Sequence, residues 1–318
     1  MKILVIGCGS IGKRHINNIL SLNQNIDVIA WNRSEQRLKE VSKKFGIYTS
    51  LNLKSLFQKE KPNVCFICSP SSMHLKHALM AARYKCDIFI EKPLSHNTKN
   101  IKVLQNEVKK NKLIVQVGAN YRFHLGPKTI FDFLKKDKIG DVVWANFYCG
   151  MSLPHWHPEE NYLDMYSSKK KLGGGVLLDI IHEIDLVNWF FGKCKNIIGR
   201  AYNSKTLKIE TEEVADFIFL YNDKNVCVHL DYLQYPFSRS IKIVGKKGIL
   251  KWSFADSFIE IIKINKSKKI FFPKNYTKNN MFLEQLSYFL NCLKKRQQPH
   301  NDLKSGLIAL QNITSFKK

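Results

Sequence analysis

Three short stretches of this chain carry residue types and spacings that could do chemistry. Gly7-Cys8-Gly9-Ser10-Ile11-Gly12 sets three glycines at the intervals of a turn that lets a pyrophosphate approach the backbone. Glu91-Lys92-Pro93 ends the apolar run Cys86-Asp87-Ile88-Phe89-Ile90, which holds an ammonium at a strand end. Gly173-Gly174-Gly175 leads into a segment with Asp179, His182 and Asp185 at i, i+3 and i+6. The glycine turn alone says only that a dinucleotide could bind. A lysine placed where a nicotinamide ring would lie adds a reason for it, and the pair points to hydride transfer.

Gly7, Gly9, Ser10, Ile11 and Gly12 follow one apolar run and open an amphipathic one, so strand, turn and helix are all in place. At the end of the second apolar run, an acid would bind the ribose diol, but the chain has Trp31-Asn32-Arg33-Ser34. Asn32 would not repel a 2′-phosphate, and Arg33 with Ser34 could hold one, which tilts the expectation toward NADP over NAD. The alternative is that Arg33 and Ser34 cap the next helix and stack on adenine while either cofactor binds. Cys68-Ser69-Pro70-Ser71 leaves a further strand and enters a helix whose first turn holds His74. Ser69, Pro70 and His74 are expected beside the ribose and pyrophosphate, because ligands of open α/β sheets sit at carboxyl ends of strands; an ordinary helix cap is the plainer reading.

In the third stretch, glycines before a helix would leave its first N–H groups open to an anion or hydroxyl. A continuous helix over 176–191 is predicted, with Asp179 and His182 on one face and Leu177, Ile180, Ile181, Ile184 and Val187 as the buried stripe. A histidine flanked by carboxylates suits a base for a substrate hydroxyl. The plainer alternative is a helix surface on which Asp179 complements the dipole. Upstream, Pro154-His155-Trp156-His157-Pro158-Glu159-Glu160-Asn161-Tyr162 offers two histidines at a metal-usable spacing but no third clear ligand, so no metal is predicted. Its aromatics and prolines suit the wall of a sugar or nucleotide pocket, or interface packing.

The elements that must position these residues fall into two patterns. Apolar runs at 3–6, 27–31, 64–68, 88–90 and 113–117 alternate with helical stretches at 12–22, 35–45, 53–59, 72–82 and 98–110, as in a parallel sheet with crossover helices. Longer strands then follow in succession at 142–148, 196–203, 214–221, 225–232, 240–244, 249–253 and 258–264. Val226, Val228 and Leu230 alternate with Cys227, His229 and Asp231, as an antiparallel sheet with one covered face requires. Helices are expected at 126–135 and, closing the chain, at 281–293 and 303–314, with an exposed hairpin or loop at 266–278. The expected architecture is therefore α/β: a Rossmann doubly wound parallel sheet in 1–122, then an α+β domain with a mostly antiparallel open sheet in 123–318, its last helices packing back on the first.

A chain of 318 residues with 44% apolar content has room for two cores, and no run approaches the length of a membrane span. The opening Met1-Lys2-Ile3-Leu4-Val5-Ile6 has too short an apolar core for a signal peptide and reads as a strand. Eight cysteines lie mostly in or beside apolar strands, the pattern of free thiols in a reducing cytoplasm. The net charge of +25 would fit nucleic acid binding, but the lysines are scattered instead of gathered on one helix or aromatic sheet. The field suits an anionic dinucleotide or nucleotide-linked sugar.

These motifs resemble those of the Gfo/Idh/MocA oxidoreductase family, over nearly the whole length. The shared segments are Gly7 to Gly12, Ser69-Pro70 with His74, Glu91-Lys92-Pro93, Asn120-Tyr121-Arg122-Phe123, Gly173 to Asp185, and Gly245-Lys246-Lys247-Gly248. Trp156-His157-Pro158 and Leu230-Asp231-Tyr232-Leu233-Gln234 are similar to a branch found in surface-polysaccharide pathways. The resemblance implies that Lys92 stands near the nicotinamide and the substrate hydroxyl, that His182 transfers the proton, and that Asp179 assists, although its separation from His182 is one residue shorter than in many members. It adds Glu91 and Asn120 to the cofactor candidates. Arg122, Trp156, Tyr162 and His182 are the substrate candidates. A homodimer or homotetramer acting on a sugar or nucleotide sugar is implied, with neither nucleic acid nor membrane as partner. An enzyme using a retained nicotinamide transiently, for elimination or epimerisation, and a non-catalytic NADP(H) sensor are the rival expectations.

Overall fold

Short runs of Ile, Val and Phe bounded by glycine or polar turns become the strands of the first of two units. The computed structural model describes all residues except 23, 24, 157, 315, 317 and 318. Its first unit comprises Met1–Ala119 and Phe282–Leu310. Strands β1 (Lys2–Ile6), β2 (Asp27–Trp31), β3 (Tyr48–Ser50), β4 (Val64–Ile67), β5 (Asp87–Ile90) and β6 (Val115–Val117) form one parallel sheet in the order β3-β2-β1-β4-β5-β6. That is the Rossmann order, and its direction of winding reverses between β1 and β4. Strands buried on both faces read as continuous apolar runs, and β1, β4 and β5 do so. On one face Phe66 stacks on Phe89 at 4.7 Å, and Phe289 of the helix Asn280–Lys295 meets both rings edge-on. Residues 282–310 therefore complete the core of the first unit.

Two local differences from the sequence reading have simple causes. β3 is three residues, Tyr48-Thr49-Ser50, with no apolar run to announce it. The helix expected over 53–59 is one α-turn, Leu53–Ser55, running into a π-turn, Leu56–Glu60, and stops at Lys61, whose φ is 45°, just before Pro62.

The second unit comprises Asn120–Met281 and Gln311–Lys318. Its strands β7 (Val142–Gly150), β8 (Asn196–Tyr202), β9 (Val214–Leu220), β10 (Asn225–Asp231), β11 (Ser238–Gly245), β12 (Gly248–Ser253), β13 (Phe258–Lys263) and β14 (Lys266–Phe271) are ordered β14-β13-β12-β11-β7-β10-β9-β8. All neighbours are antiparallel except β7 and β10. Val226, Val228 and Leu230 are buried while Cys227 and His229 are half-buried, as the alternation requires, but Asp231 at the strand end departs from it and is buried. The lysine-rich 266–278 stretch contributes a strand, β14, to a hairpin with β13.

The predicted continuous helix over 176–191 is corrected: Val176–Asp179 and His182–Phe191 are separate helices, with Ile180 at φ −103° and ψ 33° between them. Every residue from Val176 to Val187 is buried. A single straight helix with one apolar stripe cannot satisfy that.

His124 caps the helix Leu125–Lys135, its Nδ1 accepting the Gly126 N–H at 3.0 Å, and burial pushes its pKa down to about 4. The ring thus resists protonation when folded but takes a proton at about 6.5 when unfolded. Its contribution is present in full above pH ~6.5 and is lost as pH falls to ~4, about 3 kcal/mol at most. His124→Gln should flatten the fall in Tm over that window, measured by thermal melts at stepped pH, at a cost near neutrality of about 1 kcal/mol.

Candidate active site

The glycine turn lies at the carboxyl end of β1, beside the strand where the sheet reverses. Gly7 has φ 107°, and a Cβ there would meet the Cys68 carbonyl at 2.6 Å. At Gly12 a Cβ would collide with the Gly7 carbonyl oxygen, whereas at Gly9 it would meet nothing within 4 Å. Two glycines therefore allow chain to pack on chain, and the middle one leaves the backbone open to an outside group. Ser10 and Ile11 begin the helix Ser10–Leu22, whose first N–H groups suit an anion. The Gly7 N–H donates to Trp31 O at 2.8 Å, which joins this turn to the end of β2.

At that strand end Asn32 Nδ2 is buried and has no hydrogen-bond partner among the described residues. An orphaned donor where a ribose would lie fits a dinucleotide. Ser34 Oγ accepts the Arg37 N–H at 3.3 Å as the cap of the helix Glu35–Phe45, and Arg33 is exposed. Arg37, absent from the sequence reading, acts at the turn: burial raises the Cys8 thiol to about 11, with Lys13 and Arg37 opposing the rise. Nothing in an arginine inside a charged helix would have singled it out.

The loops after β4 and β5 are tied together. His74 is buried, with Nδ1 2.7 Å from Pro93 O and Nε2 2.7 Å from Ser69 O. Ser69 Oγ bonds His77 Nδ1 at 2.9 Å, and burial pulls the His77 pKa down to about 4. Pro70 precedes the helix Ser71–Arg83. Glu91 is buried, one oxygen 2.7 Å from His15 Nε2 and the other accepting the Lys92 N–H at 3.1 Å. Lys92 is half-buried and joined to Pro93 by a cis peptide. The first unit thus gathers Gly7 to Gly12, Asn32, Ser69, Pro70, His74, Glu91 and Lys92 at one end of its parallel sheet.

In the second unit, Asn120, Arg122, Asp179 and His182 are all buried. Asn120 Nδ2 lies 3.6 Å from Met281 Sδ, and its Oδ1 has no partner among the described residues. Arg122 grips Asp185 with two bonds, 2.8 and 2.6 Å. Glu183 pairs with Arg239 at 2.6 Å. The guanidinium of Arg239 sits 4.0 Å from the centre of the Tyr121 ring, and that ring tilts against His182 at 4.9 Å. His182 is therefore carried by a helix pinned at Glu183 and Asp185. Asp179 accepts from Tyr166 OH, from Ser167 Oγ at 2.7 Å and from Tyr232 OH at 3.0 Å. Sequence reasoning missed Glu183, Arg239, Tyr166 and Tyr232 as members of this cluster.

The expected open cradle at Gly173 to Gly175 is also corrected. Gly174 N donates to Lys169 O, Gly175 N to Ser167 O and Val176 N to Glu212 O. These glycines serve close packing: a Cβ on Gly174 would strike Tyr166 O, and one on Gly175 the Glu212 carboxylate. Tyr162 OH donates to Leu207 O at 3.0 Å, and Trp156 is 40% exposed. His155 Nδ1 bonds Ser152 Oγ at 2.7 Å, while His157 lies outside the described residues.

The chain belongs to the Gfo/Idh/MocA oxidoreductase family. Residues 1–119 match the family's model described as an oxidoreductase family, NAD-binding Rossmann fold, and residues 128–251 match its C-terminal domain. The myo-inositol 2-dehydrogenase of Thermotoga maritima is 24% identical over 98% of this chain and 93% of its own. Among solved structures, a levoglucosan dehydrogenase complexed with NADH and levoglucosan aligns with a TM-score of 0.87 at 15% identity, covering 99% of this chain and 96% of that one. The WlbA dehydrogenase from Bordetella pertussis, complexed with NADH and UDP-GlcNAcA, aligns at 0.84 and 17%, covering 99% and 95%. At such identities the structural likenesses show the fold. The protein is an oxidoreductase with an NAD-binding Rossmann unit, and its relatives include sugar and inositol dehydrogenases.

Removing one partner of a buried ion pair leaves a stranded charge. Arg122→Met should lower unfolding free energy by about 3 kcal/mol, and adding Asp185→Leu should recover part of the loss. Chemical denaturation of the single and double variants measures both.

Proposed function

We propose that this enzyme oxidises a secondary hydroxyl, or reduces the matching ketone, on a sugar or nucleotide-linked sugar, exchanging hydride with NAD(P). The observation that carries this reading is Lys92, held by a buried carboxylate in the loop that His74 ties to Ser69, beside a turn open at Gly9. The nicotinamide, when bound, takes or gives the hydride. Gly7, Gly9, Ser10, Ile11 and Gly12 would receive the pyrophosphate, with Ser69 and Pro70 in the neighbouring loop, which the buried His74 fastens. Asn32 offers its free amide to the ribose, and Asn120 its free carbonyl oxygen to the cofactor.

Lys92 stabilises the charge that develops on the substrate oxygen, and His182 moves the hydroxyl proton. Asp179, held by three hydroxyls, keeps a negative charge in the His182 segment. Arg122 and Tyr162 act on the substrate side through the segments they fasten, and Trp156, 40% exposed, is the aromatic proposed to meet a sugar face. Inositol and levoglucosan, named for the relatives, are polyhydroxylated rings with secondary hydroxyls, which supports the substrate class.

The finer cofactor reading is NADP: no acid stands at Asn32, and Arg33 and Arg37 flank the cap at Ser34. A cytoplasmic homodimer or homotetramer is the accompanying expectation. The compartment is supported by eight thiols that are all free, six of them buried.

Lys92→Ala should leave dinucleotide affinity within about threefold while cutting turnover by about a thousandfold or more, and His182→Ala should cost about a hundredfold to ten-thousandfold. Nicotinamide absorbance over a panel of sugars and nucleotide sugars, with fluorescence titration of the cofactor, reads both. Turnover retained by Lys92→Ala overturns the assignment. The double change Arg33→Ala with Arg37→Ala should lower the preference for NADP over NAD by about tenfold or more, since a charge-assisted bond contributes roughly 1.5–3 kcal/mol.

A further inference from the structure

Two buried histidines of the first unit bracket the tripeptide that carries Lys92. His15 belongs to the helix Ser10–Leu22, which opens on the glycine turn, and it is 1% exposed among Phe66, Phe89 and Phe282. Its Nε2 lies 2.7 Å from Glu91 Oε1, while its Nδ1 is buried without a partner among the described residues. A carboxylate oxygen only accepts, so Nε2 carries a hydrogen and donates it to Glu91. The other oxygen of Glu91 accepts the Lys92 N–H. Gly118 closes the carboxylate from behind, since a Cβ there would stand 2.9 Å from Glu91 Oε2.

His74 acts from the other side. It belongs to the helix Ser71–Arg83, which follows β4, and is equally buried. Both ring nitrogens face carbonyl oxygens, Pro93 O and Ser69 O. Burial lowers the pKa of the ring, against the pull of those carbonyls and Glu91. The Pro93 contact is fully buried and the Ser69 contact only partly so. A carbonyl oxygen only accepts, so the bond to Pro93 is one that His74 donates through Nδ1.

We propose that His15 and His74 are positioning residues for Lys92, the first acting through the Glu91 carboxylate and the second through the Pro93 carbonyl. The helices that leave the two dinucleotide loops thereby set where the ammonium stands. A lysine stem is flexible and carries about 2 kcal/mol of rotamer entropy, so only its backbone origin can be fixed in this way. Displacing a reacting group by roughly 1 Å costs on the order of a hundredfold in rate. The inference rests on the reading of Lys92 given above.

Isosteric amides test it. Glutamine places its amide nitrogen near an imidazole Nε2, and asparagine places it near Nδ1. At position 15, His15→Gln should keep the donor to Glu91 and His15→Asn should lose it. At position 74 the order should invert, His74→Asn keeping the Pro93 bond and His74→Gln losing it. Expected values of kcat fall by no more than about threefold for His15→Gln and His74→Asn, and by about thirtyfold for the other two, less than a full misplacement of the lysine. Cofactor Kd by fluorescence titration should stay within about twofold in all four, since a smaller change would be a negligible fraction of a hydrogen bond.

A role in volume or burial alone would rank the two amides in the same order at both sites, and that result overturns the proposal. So does an equal loss in all four, or a kcat loss matched by a rise in Kd. Should a histidine variant not fold, hydrogen exchange of the Lys92 amide in Glu91→Gln decides. Exchange faster than in the wild type, with slower turnover, is expected, and wild-type exchange with wild-type turnover overturns the Glu91 arm. An active Lys92→Ala would sink the catalytic reading itself. An inactive Lys92→Ala with an uncrossed pattern would sink only the positioning role.

Discussion

A carboxylate taken out of water must find hydrogen-bond donors or a cation, and this requirement organises both units. In the first, Glu91 is met by a histidine and by the backbone of the residue that follows it. In the second, Asp179 is met by three hydroxyls, Glu183 by Arg239 and Asp185 by Arg122. Each of these four acids lies within three residues of Lys92 or His182 in the chain. Fixing the acid therefore fixes the segment on which a lysine or a histidine rides. Apolar packing holds the layers together, but it is indifferent to small rotations that a charged pair is not.

That division explains what could be read from the chain. The alternation of 3.6-residue and 2-residue periods locates the Rossmann strands and the antiparallel strands, because burial writes itself into consecutive residues. The glycine turn and Glu91-Lys92-Pro93 are legible for the same reason: each is contiguous. What stays hidden is the partner of a buried charge. Glu91 and His15 are 76 residues apart, Arg122 and Asp185 are 63, and Asp179 and Tyr232 are 53. A lone histidine in a helix, or a tyrosine at a strand end, gives no signal until the fold brings its acid to it.

The broken helix at Ile180 shows the complementary failure. Periodicity marks Leu177, Ile180, Ile181, Ile184 and Val187 as one stripe, and all are buried. The pattern does not announce that the opposite side is buried too, because its polar residues look like a solvated face. Their acids are instead paired in the interior, and the helix divides where the two burial demands part. Likewise the three glycines before it look like an open cradle but are spent on backbone contact, with Lys169 and Ser167 taking the N–H groups of Gly174 and Gly175 and Glu212 that of Val176.

The helix Asn280–Lys295 has a consequence for synthesis. Leu286, Phe289, Cys292 and Leu293 line the same core as Ile3, Val5, Phe66 and Phe89. A ribosome delivers the glycine turn long before these four side chains. The nascent dinucleotide unit must wait, with part of one side of its sheet uncovered, while the intervening stretch is translated. The maturation of the unit is thus timed by the emergence of this helix and not by that of its own strands.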